Sequence, residues 1–150
     1  MEKIFKGRKI TGTTATCEAI VSHGGVNTLA TFQKSALKNA KKVIASDQNN
    51  KDIFGKVLTG KALCLPQTIG STTGGLVIQT ICQMKINPKC FLFSKDIDSL
   101  AASGVLLASI WEKSDVVTVD RLGDEFLEYV ETGDTIEVLD DGSVKVIKNK

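Results

Sequence analysis

The residues most suited to chemistry form one short stretch, Gly70-Ser71-Thr72-Thr73-Gly74-Gly75. It follows the apolar run Ala62-Leu63-Cys64-Leu65-Pro66 and precedes Leu76-Val77-Ile78, and this order predicts a strand, a glycine turn and a helix. Such a turn directs free backbone N–H groups, the positive end of a helix dipole and several hydroxyls toward one point, where a carboxylate or phosphate could bind. The alternative is that a hydroxyl residue only caps the helix. On spacing alone, both interpretations stay open.

His23 is the second candidate, and it is the only histidine of the chain. Ser22-His23 resembles the pair found in swivelling phosphohistidine carrier domains, in which the imidazole accepts a phosphoryl group. The match is poor because the following residues, Gly24-Gly25-Val26, do not open a helix. The alternative is a loop histidine that is hydrogen-bonded to the backbone.

The four cysteines show no metal-binding pattern. Cys17, Cys64, Cys82 and Cys90 never fall at C-x-x-C or a similar spacing, and three of them lie in apolar segments. Buried, reduced thiols are therefore expected, and the residues predict no metal site in this chain.

Composition excludes several classes of partner. The chain has 150 residues, a net charge of +2 and only 5% aromatic residues. Interspersed charges and few aromatic side chains argue against nucleic acid as the main partner. The N-terminus has no apolar signal region and the chain has no run long enough to span a membrane, so we expect one cytoplasmic domain over residues 1–150 and no membrane partner.

The first half of the chain predicts strands around a loop-rich region. Residues 4–22 indicate two strands joined by a turn, and Val43-Ile44-Ala45 indicates another. Residues 31–42 predict either a short exposed helix or a basic flap over an anionic ligand. The helix after the glycine turn should end near residue 85 or 86, because Pro88 forbids its continuation.

The second half predicts a strand, a helix, a strand and a hairpin. Cys90-Phe91-Leu92-Phe93 predicts a buried strand, and Asp96 or Asp98 caps a helix that is apolar on both sides and should be largely enclosed. A strand at residues 116–119, a short helix or irregular segment at 124–130 and a hairpin at 136–146 follow. This order favours an α/β fold with a mixed sheet and helices on one side over a doubly wound parallel fold.

A family resemblance adds to these patterns from about Gly12 onward. Its most specific block is Thr59-Gly60-Lys61-Ala62-Leu63-Cys64-Leu65-Pro66 followed by Gly70-Ser71-Thr72-Thr73-Gly74-Gly75, and Gly55, Asn87-Pro88, Leu100-Ala101-Ala102-Ser103-Gly104, Val116-Val117 and Gly133-Asp134 match in order. These residues resemble the signature of the aconitase X swivel-domain family.

The resemblance implies a swivelling β/β/α fold, related to the mobile domain of aconitase and of isopropylmalate isomerase. It also implies a small subunit that forms a heterodimer with a large aconitase X-type subunit. That large subunit carries the iron-sulfur cluster, and this chain alone binds no cofactor. The pair dehydrates a small hydroxy acid, either cis-3-hydroxy-L-proline or mevalonate 5-phosphate, and the isolated chain should be inactive.

The resemblance also assigns site residues. Ser71 occupies the position of the family's proposed catalytic base, and Gly70, Thr72, Thr73 and Gly74 line the substrate carboxylate or phosphate. Gly24 and Gly25 match the family's two-glycine loop and are predicted to bind substrate as well.

Two departures from the family pattern are visible. The aromatic residues that precede the two glycines in the family are absent here, where His23 stands. Asn49 and Asn50 lie where members often carry a histidine. The substrate therefore stays open, as does a third hypothesis, in which the chain is a non-catalytic regulatory or binding subunit.

Overall fold

The structure is a computed structural model that describes residues 1–70 and 74–149. These residues form four α-helices: α1 (Thr28–Leu37), α2 (Gly74–Gln83), α3 (Ser99–Trp111) and α4 (Asp124–Tyr129). They also form ten β-strands: β1 (Glu2–Lys6), β2 (Arg8–Thr11), β3 (Ala15–Val21), β4 (Val26–Asn27), β5 (Ala62–Leu65), β6 (Thr68–Ile69), β7 (Cys90–Phe93), β8 (Val117–Asp120), β9 (Thr135–Val138) and β10 (Ser143–Ile147).

Eight strands form one mixed sheet in the order β1-β10-β9-β3-β5-β7-β8-β2. Strands β3, β5, β7 and β8 are parallel, whereas β1, β10 and β9 pair antiparallel and β2 lies antiparallel to β8. Strand β3 belongs to both parts, because residues 15–18 pair with β9 and residues 19–21 pair with β5. The parallel part needs crossover connections, and helices α1, α2 and α3 supply them.

Helices α1, α2 and α3 cover one face of the sheet. Because side chains alternate along a strand, Leu63 and Leu65 of β5 join the core beneath these helices, together with Phe32 of α1, Ile78 of α2 and Val105 of α3. Helices α2 and α3 meet backbone to backbone: a Cβ atom built on Gly104 would lie 2.6 Å from the carbonyl oxygen of Gly75. Only glycine permits this approach.

The opposite face has a second core. Ala62 and Cys64 of β5 point to it, and strands β1, β9 and β10 and helix α4 complete it. Phe5 of β1 and Phe126 of α4 pack edge to face, with ring centroids 5.4 Å apart. Strands β1, β9 and β10 form the first layer, the parallel strands form the second and helices α1–α3 form the third. The predicted β/β/α fold is therefore confirmed.

An ion pair between half-exposed Arg8 and buried Asp120 holds the edge strand β2 against β8. Arg8 donates to both carboxylate oxygens of Asp120, over 2.9 and 2.7 Å, and the Ile97 N–H donates to the same carboxylate over 2.8 Å. Burial alone would raise the pKa of Asp120, but these donors outweigh it and the pKa lies below its usual range. Asp120 is therefore a buried carboxylate that stays ionised.

Most predicted elements are confirmed, including the hairpin β9–β10 and strand β7, and residues 124–129 form a helix. Three predictions are wrong in detail. The N-terminal region forms three strands, because Gly7 separates β1 from β2. Residues 43–45 make only one bridge, between Ile44 and Val57, instead of a strand. Helix α1 begins at Thr28, where Asn27 caps it, so it starts before residue 31 and buries Phe32.

Helix α3 is less enclosed than its sequence predicts. Asp98 caps it as expected, and Ala101, Val105 and Ala108 are buried. The other side is open, however, with Ile110 68% and Trp111 74% exposed in this chain. The expectation that much of the helix is enclosed is therefore wrong for the chain alone.

Within the described residues, every helix is too short or too polar to cross a bilayer.

Candidate functional site

Three loops meet at one edge of the sheet. Because β3, β5 and β7 run parallel, the segments that follow them, residues 22–25, 66–70 and 94–98, leave the sheet at the same edge. Helices α1, α2 and α3 all begin there. In open α/β sheets, ligands bind in the crevice outside the carboxyl ends of the strands. This edge therefore holds the candidate site.

The short strands β4 and β6 join two of the predicted binding segments. Val26 pairs with Thr68 and Asn27 pairs with Ile69. As a result, Gly25 packs on Ile69 so closely that a Cβ atom at Gly25 would lie 2.6 Å from Ile69 Cγ2. Gly24 faces open space, with no atom of the described residues within 4 Å of a Cβ position. The structure thus brings Gly24 and Gly25 beside the turn that contains Gly70.

Gly70 requires glycine for two reasons. Its φ of +99° lies in a region that favours glycine. In addition, a Cβ atom would lie 2.5 Å from Nδ2 of Asn27. The Oδ1 atom of Asn27 accepts a hydrogen bond of 3.0 Å from the Ala30 N–H and caps helix α1. One side chain therefore caps a helix and supports the turn.

Gly74 begins helix α2 and is buried against the first residue of helix α1. A Cβ atom built on Gly74 would lie 2.5 Å from Oγ1 of Thr28. The N-termini of α1 and α2 are therefore in contact, and each carries a partial positive charge. Two such ends side by side favour a bound anion over a cation.

A cavity of about 180 Å³ opens at this corner, and Gly70 and Gly74 are among its lining residues. Asp98 also lines it, and its carboxylate accepts hydrogen bonds from Thr68 Oγ1 and from the Ala101 N–H. These bonds make Asp98 the cap of helix α3. Its charge limits how tightly this side of the corner binds an anion.

A second cavity, of about 340 Å³, lies on the other side of Gly24 and Gly25. Its polar wall comes from residues 47–52. Within that wall, Asn50 Nδ2 donates to the buried hydroxyl of Ser22 over 2.9 Å, and Ser22 Oγ donates to the Gly24 carbonyl over 2.7 Å. This chain of hydrogen bonds fixes the path of the two-glycine loop.

His23 points away from this chain of hydrogen bonds. Its backbone N–H donates to Asp52 Oδ2 over 2.8 Å, its Nδ1 lies 3.3 Å from the same oxygen, and its side chain is 65% exposed. The residues after it form strand β4. Both features describe a loop histidine paired with a carboxylate, and residues 24–27, which directly follow it, form a bend and strand β4 and do not open a helix.

Ser71, Thr72 and Thr73 lie outside the described residues. Of the predicted site residues that the structure describes, Gly24, Gly25, Gly70 and Gly74 gather at one corner. Three supporting side chains were missed. Asn27 was identifiable from its position just before a helix, where asparagine is a favoured cap. Asn50 was noted only as a departure from the family pattern and Asp52 was not noted, because only the fold brings residues 50 and 52 to residues 22 and 23.

The described part of the chain offers no metal centre. Residues 1–70 and 74–149 contain no group of three or more His, Cys, Asp or Glu side chains placed to bind a metal ion. These residues therefore do not fit an iron-sulfur cluster of their own.

Known proteins resemble the chain over nearly its whole length. The family described as aconitase X swivel domain matches residues 4–146. The crystal structure of Thermococcus kodakaraensis aconitase X in its holo-form aligns with a TM-score of 0.81 and 27% identity, over 97% of this chain and 99% of that chain. A UPF0107 protein solved by solution NMR aligns with a TM-score of 0.77 and 26% identity, over 97% and 100%. No curated protein sequence matches the chain.

Proposed function

The chain belongs to the aconitase X swivel domain family, and from this premise we propose that it is the small subunit of a two-subunit hydro-lyase that dehydrates a hydroxy acid. The observation that carries the proposal is the corner formed by Gly24, Gly25, Gly70 and Gly74 at the N-termini of α1 and α2. The whole chain, residues 1–150, acts as one swivelling domain. Its substrates are cis-3-hydroxy-L-proline or mevalonate 5-phosphate.

The role of the described residues is to bind and orient the substrate anion. Helices α1 and α2 begin side by side at this corner, because Gly70 and Gly74 leave room for the side chains of Asn27 and Thr28. The dipoles of these two helices stabilise the carboxylate or phosphate of the substrate. Asn27 and Asn50 maintain the shape of the turn and of the two-glycine loop.

Ser71 is the proposed catalytic base, with Thr72 and Thr73 beside it as substrate-binding residues. Its position between Gly70 and Gly74 in the chain supports this role, since a serine in that segment is tethered to both ends of the corner. A serine alkoxide is too basic to form readily in water, and positive potential at the helix N-termini lowers the cost of forming it. The base would remove a proton from the carbon next to the substrate carboxylate.

The large subunit supplies what this chain lacks. We place the iron-sulfur cluster and the rest of the substrate site there, because the described residues do not form a cluster site. The complex is cytoplasmic, which agrees with four free cysteines. Activity then requires both chains.

The test is a reconstituted assay with the large subunit and each of the two substrates. Ser71→Ala should leave the heterodimer intact on gel filtration and reduce turnover by at least about 100-fold. Ser103→Ala, at an exposed position of α3, is the matched control and should retain full turnover. If Ser71→Ala retains turnover, Ser71 is not the base. If the assembled pair dehydrates neither substrate, the hydro-lyase proposal fails for these acids and the non-catalytic subunit hypothesis gains.

A further inference from the structure

The cavity at the glycine corner contains one charged side chain, and that side chain is an acid. Among the described residues that line this cavity of about 180 Å³, Asp98 alone is charged, and the others are hydroxyl, glycine or apolar residues. Residues 71–73, which join the two glycines of the turn, are serine and threonine and add no charged side chain. No lysine or arginine of residues 1–70 or 74–149 lines the cavity.

The Asp98 carboxylate can accept a further hydrogen bond. Its Oδ1 accepts from Thr68 Oγ1 and its Oδ2 accepts from the Ala101 N–H over 3.1 Å, whereas an ionised carboxylate offers about four acceptor positions. The residue is half-buried and lines the cavity. The N-terminus of helix α3 offsets its charge only in part, because a helix end is equivalent to about half a unit charge. Asp98 therefore leaves this side of the cavity negative.

Two opposite charges thus meet in one small space. Thr28 and Gly74, the first residues of α1 and α2, both line the cavity, and the dipoles of these helices make that side positive. A carboxylate suits the positive side, and an ammonium group suits the Asp98 side. In an α-amino acid both groups are attached to the same carbon atom, so one small cavity can receive both.

A phosphate monoester suits the corner less well. It carries about 1.5 to 2 negative charges at pH 7, and proteins usually bind it with arginine or lysine. The cavity beyond the two-glycine loop does not supply an excess of positive charge, because the described charged residues that line it are Asp47, Asp52 and Lys51. Three of the four lysines at residues 34–42 line another cavity instead. The phosphate of a phosphorylated hydroxy acid would therefore meet more acid than base here.

We propose that Asp98 determines the specificity of this site and selects hydroxy acids that carry a protonated amine, such as cis-3-hydroxy-L-proline, over phosphorylated hydroxy acids. This inference rests on the proposed function, because it names the substrate class of the same corner. The N-termini of α1 and α2 hold the substrate carboxylate, and Asp98 accepts a hydrogen bond from the substrate ammonium group. Asp98 contacts the substrate and takes no part in the removal of the proton.

The first experiment compares two unreactive probes in the reconstituted pair of subunits. L-Proline has the ring, the carboxylate and the ammonium group, whereas (S)-tetrahydrofuran-2-carboxylate has an ether oxygen in place of the ammonium group. The wild-type pair should bind L-proline at least about tenfold more tightly, as expected for a hydrogen bond between charged groups. Titration calorimetry measures both affinities without any turnover.

The second experiment removes only the charge of Asp98. In Asp98→Asn, helix α3 keeps its cap, because asparagine is as favourable at this position as aspartate. The variant should bind the two probes with equal affinity. Its kcat/KM for cis-3-hydroxy-L-proline should fall at least about tenfold, and its kcat/KM for mevalonate 5-phosphate should not fall. Asp96→Asn is the matched control, because Asp96 is exposed, pairs with Arg121 and lies outside the cavity lining, and it should keep the wild-type preference.

Three results would overturn the assignment: equal affinity of the wild-type pair for both probes, an unchanged preference in Asp98→Asn, or a wild-type kcat/KM that is higher for mevalonate 5-phosphate than for cis-3-hydroxy-L-proline. The last result would leave the hydro-lyase proposal intact. If the pair prefers L-proline through Asp98 but dehydrates neither acid, the hydro-lyase proposal fails for these acids and the role of Asp98 in binding the ammonium group stands.

Discussion

The side-chain amide of Asn27 lies directly against Gly70, so that a Cβ atom on Gly70 would stand 2.5 Å from Asn27 Nδ2 while Asn27 Oδ1 caps helix α1. The turn and the helix are therefore coupled through one side chain. A substitution at Gly70 should displace the Asn27 side chain from the N-terminus of helix α1.

Gly70→Ala should cost more stability than a glycine replacement with equal backbone strain. Gly133 is the matched control, because its φ is +100° and the described residues leave open space around its Cβ position. Gly133→Ala should cost about 1–2 kcal/mol for the left-handed conformation. Gly70→Ala should cost about 1 kcal/mol more, because Asn27 must leave its cap. Urea unfolding of both variants measures the difference, and equal costs would refute the coupling.

Gly104→Ala should destabilise the chain even though alanine is the better helix former. The new methyl group would lie 2.6 Å from the Gly75 carbonyl, so α2 and α3 would have to separate. The expected net cost is about 1–3 kcal/mol, as for other overpacked cores. Ser103→Ala, on the exposed face of the same helix, should change stability by less than about 0.5 kcal/mol. A Gly104→Ala variant as stable as wild type in thermal unfolding would show that the two helices can move apart freely.

Asn50→Ala should loosen the two-glycine loop. It removes the donor to the buried Ser22 hydroxyl, which itself donates to the Gly24 carbonyl, and should cost about 1 kcal/mol. Amide hydrogen exchange at residues 22–25 should accelerate. Asn49→Ala is the control, because Asn49 is exposed and the hydrogen bond from its backbone N–H to the Asp47 carboxylate survives the substitution. Unaltered exchange in Asn50→Ala would mean that the loop is held by other contacts.

Asp120 should make the fold sensitive to acid. Its pKa is lower in the folded chain than in the unfolded chain, so its contribution to stability is fully present above the unfolded value of about 3.9 and is lost as pH falls through the folded value. Chemical unfolding at several pH values below 5 should show a steep loss for wild type. Asp120→Asn should be less stable at pH 7 and show a smaller further loss in acid.

Asp115→Asn is the comparison for that acid series. Asp115 also has a lowered pKa, through its hydrogen bond with Lys89, but its side chain is 83% exposed and solvent screens the pair. Asp115→Asn should reduce the loss of stability in acid much less than Asp120→Asn does. If the two variants behave alike, burial of Asp120 has no special effect on acid stability.

Patterns within one segment predicted the elements well. Alternation gave the hairpin β9–β10, and an aspartate before an apolar repeat gave the capped start of α3. The wrong predictions have one physical origin, because each depends on which other segment of the chain packs against the one being predicted. Val43 and Ala45 are buried and Ile44 is exposed, as in a strand, but the segment that pairs with them, residues 55–58, is a loop and forms a single bridge, between Ile44 and Val57.

The predictions missed the exposed side of α3 and the supporting side chains of the site for related reasons. Ile110 and Trp111 are residue types that are common in buried helices. An apolar sequence pattern is the same whether a helix face packs on the protein's own core or stays exposed in this chain. Asn50 reaches Ser22 across 28 positions of sequence. The glycines at the corner were predicted because they cluster in the sequence as pairs and short motifs. An ordinary polar residue is recognised as part of a site only when the residues that it contacts are known.

Strands β1 and β10 come from opposite ends of the chain and pair along their whole length, from Glu2 opposite Ile147 to Lys6 opposite Ser143. During synthesis, β1 must remain unpaired until β10 has been made, roughly 7–27 s later at 5–20 residues per second. The layer that contains β1 is thus the last to be completed on the ribosome. The same pairing places Glu2 beside Ile147, so a short linker could join strands β1 and β10, and the chain could be opened in an exposed loop such as the one at Gly60 without breaking a strand.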